Sequence, residues 1–479
     1  MKDSSKRLIL ILAGAVALLS VILFCVIALV RALAAPAPEA DDQTTAADAQ
    51  SDAPETLPDT QPAAPADTIT LAAAYPDDDA EARRLAAALA AFFEGFYAEH
   101  PGVSVEIVWS KAVPADPDGK VDMLLCAASE IQEYALSGTA DLSPLTEGRE
   151  DLLASALSLG VVRSKQVFVP FTYDRAVIYA DKAVFDAMGV GLPAQSWTYD
   201  DLERVLVRLS GSVGDERYIG LYMPYYMPYV WMTYVRGLGE GPIKNGKLSL
   251  STGKNYAALS EMFTVLDYGY ARSWKYSAYG SDSCTCAMSW TCAAHPERDG
   301  RYVTSDAEKA VNPGMNVDRL LAEGRLVMLP VPCFGGKYAG TADSEGTWGF
   351  MVTSSTPHAE ACTALIDYAL SPEGQQLLNA AYPGIPVNMT TWGDSFWRTG
   401  ALGCEGSDSV LIGIESDGPD HLCEMVKPTI RTYETDCIRL RTMAWLYFYN
   451  DIGGCSHSVK EYWKPHLQNF ETWANKMAK

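Results

Sequence analysis

Basic side chains are scarce in this chain. Its 37 Lys and Arg stand against 60 Asp and Glu, a formal charge of −23. That balance argues against a broad electrostatic grip on nucleic acid or on an anionic membrane surface. Histidine is scarcer still, at six. With no His-Glu-x-x-His pair and no Gly-x-Ser-x-Gly elbow, zinc-protease and serine-hydrolase chemistry has no anchor. The nearest approach to a phosphate loop, Gly241 to Lys247, has Leu248 where Ser or Thr should hold magnesium, and its Asn245-Gly246 pair signals a turn. The cysteines Cys284, Cys286 and Cys292 with His295 lack the Cys-x-x-Cys chelate spacing, so no metal is expected there. No cofactor is indicated either.

What is present is enough apolar material for one large or several ordinary cores, with 48% hydrophobic and 10% aromatic residues. The charge is unevenly spread. Between Ala35 and Asp67, eight acids, six prolines and ten alanines occur without a single base. Such a stretch cannot bury a core and reads as a solvated, disordered linker over residues 35–67. Removing its eight charges leaves −15 on the rest of the chain.

Before the linker, Leu8 to Val30 runs 23 residues without a charge, flanked by Lys2, Lys6, Arg7 and Arg31. A helix of that length spans about 35 Å, against about 30 Å of hydrocarbon core. Residues 1–34 therefore read as an N-terminal membrane anchor, or as a signal sequence cleaved after Ala32-Leu33-Ala34. The early positive charges put the amino terminus inside and the folded body outside the cytoplasm. Ten of the eleven cysteines then lie where disulfides can persist, though buried thiols are an equal reading. Cys126, closing the apolar run from Val121, reads as a core residue.

From Thr68 onward strand and helix patterns alternate, which predicts an α/β architecture with mostly parallel sheets. Ile69 to Ala74, Val103 to Trp109 and Val121 to Cys126 are strand-like, and Leu85, Leu89, Phe92, Phe93 and Phe96 mark one face of a helix. Ser129 and Gln132 have the spacing of a capping box. Later strands are expected at Val167 to Phe171, Ala176 to Tyr179, Leu326 to Val331 and Trp348 to Val352. Helices are expected from Thr198, around Tyr256 to Leu266, at Ala361 to Tyr368, from Ser371-Pro372, near Arg439 to Tyr449 and at Val459 to Lys476. Ligands bind at the carboxyl ends of parallel strands, here the Asp77 to Asp79 loop and the Ala127 to Glu130 loop. Tyr222, Tyr225, Tyr226, Tyr229, Trp231 and Tyr234 fall within thirteen residues. Aromatic faces of this kind stack on sugar C–H faces, or simply build a core.

Four stretches in order carry a family likeness: VDMLLCAASEIQEYALSGTADLSPL from Val121, VFVPFTYDRAVIYADKAVFDAMGV from Val167 with SWTYDDLERVL from Ser196, AEACTALIDYALSPEGQQLL from Ala359, and GIPVN at Gly384. Over Thr68 to Met389 the chain resembles the extracellular solute-binding proteins of carbohydrate ABC importers, the group that includes maltose-binding protein. The resemblance implies a two-lobed periplasmic-binding-protein-like fold of type II. Lobe 1 would comprise 68–171 plus about 347–382, and lobe 2 172–346 plus about 383–479. It implies a carbohydrate held between the lobes, an ABC permease as partner and no enzymatic activity. The ligand-binding set it suggests is Asp78, Asp79, Ser129, Glu130, Tyr173, Asp174, Tyr226, Tyr229, Trp231 and Phe334. Cys126 and Met227 depart from the maltose-binding pattern, which has tryptophan and an acid there, so maltodextrin does not follow. The segment from Trp274 to Pro313 has no counterpart in the family and reads as a lid or partner surface. The acids and aromatics alone also fit a secreted glycan-active hydrolase, and the fold alone a sensory or adhesive module.

Overall fold

A computed structural model describes residues 67–417, apart from 75–78, 111–120, 132–137, 163, 225–227, 246, 273–283, 297–316 and 344, together with 464–465, 467–469, 471–472 and 475. The apolar run at Leu8 to Val30, the linker and the helix expected near Arg439 lie outside the described residues. Among the described residues no helix is long and apolar enough to cross a membrane.

The first sheet follows the expected alternation. Strands β1 (Asp67–Ala74) and β2 (Val103–Ser110) pair in parallel, and β1 also pairs in parallel with β3 (Met123–Ala127). Helix α1 (Asp79–Glu99) crosses from β1 to β2. Its Leu85, Leu89, Phe92 and Phe96 recur at helical spacing and are buried in the first core. Each fully buried phenylalanine contributes about 1.5–3 kcal/mol of transfer free energy. Much later in the chain, α5 (Ala359–Leu370) and α6 (Pro372–Ala381) cover the same layer. Ser371 caps α6 by accepting from the Gly374 amide at 3.1 Å, with Pro372 at the first helical position, where a missing N–H costs nothing.

Two short strands, β4 (Val169–Pro170) and β5 (Thr172–Tyr173), lead from the first sheet into β6 (Ala176–Asp181), which begins the second. That sheet adds β7 (Glu216–Tyr222), β8 (Ala271–Arg272), β9 (Cys284–Cys292) and β10 (Leu326–Leu329) in the order β8-β7-β9-β6-β10. Here the structure corrects the reading of Trp274 to Pro313 as a lid. Within it β9 is a central strand, paired in parallel with β7 and antiparallel with β6. Its run from Cys286 to Cys292 is buried on both faces, so its small and sulfur-containing side chains pack where a surface segment would be polar.

The chain returns through β11 (Trp348–Val352), which completes the first sheet as β2-β1-β3-β11-β4, and crosses again before β12 (Ile385–Pro386), paired antiparallel with β5. Helices α2 (Tyr199–Leu209), α3 (Pro228–Leu238) and α4 (Gly253–Asp267) pack on the second sheet.

Thr198 caps α2 reciprocally with Asp201, whose carboxylate accepts from the Thr198 amide and hydroxyl at 2.8 and 2.7 Å and also pairs with Arg204. These bonds, the Thr198 hydroxyl first, pull the Asp201 carboxyl down to about 2. Because the folded value lies below the unfolded one, this cap contributes stability above the ordinary aspartate range and loses it as pH falls toward 2. Thr198→Ala is expected to raise the Asp201 carboxyl titration midpoint back toward 3.8, followed by carbon-detected NMR. An unchanged midpoint would mean that the residue-198 amide, which the substitution keeps, and Arg204 hold it without the hydroxyl.

Candidate functional site

The strand register decides where a cleft lies. In the first sheet Trp348 pairs with Ala127 and Gly349 with Pro170, so the carboxyl end of β3, the start of β11 and the end of β4 share one edge. In the second sheet Cys292 pairs with Ala176 and Leu329 with Ile178, so the ends of β9 and β10 meet the start of β6. Only residues 171–175 separate Pro170 from Ala176, and Ala342 bridges to Arg175 on its way to β11. The carboxyl edges of the two sheets therefore converge on the crossing segments, the geometry in which open α/β sheets bind ligands.

On the edge of the first sheet, β3 runs into a single 3-10 turn, Ala128–Glu130. Glu130 folds back so that its Oε2 accepts from the Ala127 amide at 3.0 Å. This replaces the expected box from Ser129, which sits inside the turn, while Gln132 lies outside the described residues. The acid wins because a carboxylate three residues on reaches the orphan amide at the turn's start and makes a stronger, charge-assisted bond. Ser129 and Glu130 are both half-buried at this edge.

Beside them stands Trp348, also half-buried, its ring 4.6 Å from that of Tyr382 between ring centres. Burial pushes the Tyr382 hydroxyl up, with Arg84 opposing and Cys126 and Glu130 adding to the shift, so Tyr382 feels the charges of this edge. Cys126 itself is fully buried, and its thiol is pushed well up by burial and by Glu130. The residue that stands in place of the family's stacking tryptophan is thus core. A half-buried aromatic ring, Trp348, lies one strand away on β11. No sequence pattern singles out Trp348 for this edge, because only the antiparallel return of β11 brings it next to Ala127, 221 residues earlier in the chain.

The crossings join the two edges. Asp174 is fully buried, and its Oδ1 accepts from the amides of Arg175 at 2.8 Å and Ala294 at 2.9 Å. Its own amide donates to Thr347 Oγ1 at 3.1 Å. Ligand-type atoms of Asp174, Asp343 and Cys292, all buried, lie within 4.8 Å of one another. Tyr229 opens α3 and its carbonyl accepts from Thr341 Oγ1 at 3.0 Å, which ties that helix start to the second crossing.

Other selected residues serve packing in this structure. Tyr173 is fully buried and donates its hydroxyl to Asp417 at 2.9 Å. Asp417 in turn pairs with Arg175 at 2.7 Å; burial pushes its carboxyl up, against the pull of Arg175 and Tyr173. Trp231 packs in the second core. Phe334 is enclosed there, its ring centre 5.0 Å from Tyr199 and 5.1 Å from Tyr234. Asp78 and Tyr226 lie outside the described residues, and Asp79 opens α1. Among the described cysteines Cys126, Cys333, Cys362 and Cys404 are thiols, which favours the buried-thiol reading over disulfides for these four.

No protein-family model and no curated protein matches this sequence. Solved structures do. The sugar-binding protein MalE of Xanthomonas citri is 16% identical, covers 86% of this chain and 97% of its own, and superposes with a TM-score of 0.61. The GacH receptor of Streptomyces glaucescens, solved unliganded and with acarbose, is 17% identical over 86% of this chain and 100% of that one, with a TM-score of 0.57. Maltose-bound MalE3 of T. maritima is 16% identical over 86% and 100%, with a TM-score of 0.54. Together with the sheet orders and the paired crossings, these likenesses show that the chain has the two-lobed fold of the maltose-binding-protein-like extracellular solute-binding proteins.

Proposed function

We propose that this protein is an extracytoplasmic substrate-binding protein that captures a carbohydrate, an oligosaccharide by preference, between its lobes and hands it to an ABC importer. No bond is made or broken in that cycle. The observation that carries the reading is the register. It brings an aromatic ring, Trp348, and hydrogen-bonding side chains, Ser129 and Glu130, to one edge, opposite crossings that bear Asp174 and the start of α3 at Tyr229. Rings stack on the apolar faces of sugars while carboxylates and hydroxyls fix their hydroxyl groups. A closed arrangement of the lobes is populated only when ligand adds differential binding energy from the second lobe.

The receptors named above give the sugar assignment its weight: GacH was solved with acarbose, MalE3 with maltose, and the Xanthomonas citri protein is a sugar-binding MalE. The uncharged run at Leu8 to Val30 and the acidic linker behind it supply the anchor and tether. As a flexible coil, 33 residues span about 30 Å root-mean-square, and in an extended polyproline-like form up to about 100 Å, enough for the lobes to reach a permease in the same membrane. Amino-terminal sequencing of the membrane fraction is expected to begin before residue 34; a start after Ala34 would replace the anchor with a cleaved signal.

Calorimetry against a panel of neutral oligosaccharides is expected to find at least one that binds with 1:1 stoichiometry and leaves the glycan intact by chromatography. Product formation would replace the receptor with an enzyme. Silence from every sugar, with stabilisation by peptides or polyamines, would sink the sugar assignment. For the sugar that binds, Trp348→Ala is expected to weaken affinity about 3- to 10-fold, the scale of one aromatic stacking contact. Unchanged affinity would place the sugar away from this edge.

A further inference from the structure

The segment after the third crossing, residues 389–417, is tied to both lobes and to the crossing between them. On the side of the first lobe the Met389 amide donates to Asp151 O at 2.8 Å, and the turn Ile414–Ser416 packs on the helix Ala154–Ser158. On the side of the second, Lys182 Nζ pairs with Glu405 at 2.8 Å, the Met328 amide donates to Glu405 O at 2.8 Å, and Ser409 Oγ donates to Met328 O at 3.1 Å. Between them lies one buried cluster. Arg175 Nη1 donates to the carbonyls of Val410 at 2.7 Å and Ile412 at 3.0 Å, and Nη2 donates to Asp417 Oδ1 at 2.7 Å. Asp417 Oδ2 accepts from the Tyr173 hydroxyl at 2.9 Å. The side chains of the ion pair are 3% and 0% exposed.

We propose that residues 389–417 form a strap that sets the angle between the lobes, and that the Arg175–Asp417 pair is the latch fixing the strap to the first crossing. Rotation of one lobe against the other is absorbed by the few residues of the crossings. A segment bonded to both lobes must move when they rotate, and its hold on the crossing is directional: the guanidinium meets two carbonyls and a carboxylate at fixed angles, away from water. Tyr173 and Arg175 flank Asp174, so a change in the latch lies one residue from it. The latch therefore weights the ligand-free population of lobe angles, and with it the fraction competent to bind.

The effect on binding rests on the receptor reading, but the lobe angle does not, so the test is made without ligand. Spin labels carried on an unnatural ketone amino acid at Glu94 and Val207, both exposed and one on each lobe, report the interlobe distance by pulsed electron resonance. The full chain is compared with Asp417→Asn, with the double variant Arg175→Met/Asp417→Leu, and with Glu405→Ala, which removes an exposed tie. The wild type is expected to give one narrow distribution. The latch variants are expected to shift it or to widen it roughly two-fold or more, with Glu405→Ala intermediate. Asp417→Asn leaves a buried arginine without its counter-charge and can fail to fold; the double variant leaves no charge behind and carries the test. Distances unchanged in the folded double variant and in Glu405→Ala would overturn the proposal. Shifted distances with no sugar bound by the wild type would overturn the sugar reading and leave the strap standing.

Discussion

Phe334→Ala is expected to lower the unfolding free energy by about 3–5 kcal/mol. The ring is fully buried and stacks on Tyr199 at 5.0 Å with an interplanar angle of 24°, meets Tyr234 edge-on at 5.1 Å and lies 6.5 Å from Trp290. Gly237, on α3, approaches Phe334 so closely that a Cβ there would overlap it, so this side of the ring is walled by backbone with no side chain to move in. Deleting the ring removes its transfer free energy, leaves a cavity walled by three aromatic side chains, and forfeits the edge-to-face contact. Urea unfolding measures the loss. Sugar affinity, taken well below the new midpoint, is expected to change by less than about 3-fold, because a ring sealed in the core supplies no stacking surface to a ligand. Near-wild-type stability with lost binding would restore Phe334 to the ligand contacts that the family resemblance suggests.

Phe334 illustrates how legibility divides in this protein. Elements with a strong period were open to reading. The apolar face of α1 lies at Leu85, Leu89, Phe92 and Phe96, β11 runs from Trp348 to Val352 as its short apolar run indicates, and Ser371-Pro372 starts α6 where cap and proline chemistry require. Elements defined by tertiary pairing were not. The crossings β4, β5 and β12 are two residues each, too short for any period. Strand β9 reads Cys-Thr-Cys-Ala-Met-Ser-Trp-Thr-Cys, which lacks the β-branched apolar run of a buried strand, and only its place between β7 and β6 makes it one.

The site divides in the same way. Asp174 belongs to a contiguous motif beside the short strand β5 and can be proposed from sequence, whereas Trp348 and Asp417 contact residues 221 and 242 positions earlier in the chain. Aromatic type alone does not separate platform from core. Tyr173, Trp231 and Phe334 have the same chemistry as Trp348, and what distinguishes Trp348 is a register that leaves part of its ring open at a sheet edge. The strap was illegible because its function depends on three carbonyl and carboxylate acceptors converging on one arginine, a geometry with no sequence signature.

Gly346→Ala is expected to weaken binding of the sugar found by calorimetry about 10- to 150-fold, the worth of a hydrogen bond to a charged group. Gly346 lies in the second crossing, and a Cβ built there would sit 2.5 Å from Asp174 Oδ2, 2.7 Å from Asp174 Cβ and 3.0 Å from Asp174 Cγ. Those separations are below van der Waals contact, and because Asp174 Cβ is fixed by its backbone, turning the side chain cannot relieve them: the backbone of one crossing must shift. That shift strains the bonds Asp174 Oδ1 accepts from the Arg175 and Ala294 amides and re-aims the carboxylate. Overpacking of this kind also costs about 1–3 kcal/mol of stability, so affinity and unfolding are measured on the same preparation. Asp174→Asn, which keeps the shape and removes the charge, separates the two effects: if the carboxylate fixes a sugar hydroxyl, it weakens binding with a smaller loss of stability than Gly346→Ala causes. Full affinity in both variants would remove Asp174 from the binding set and leave it as a strut between the crossing and the segment after β9, whose Ala294 amide donates to it.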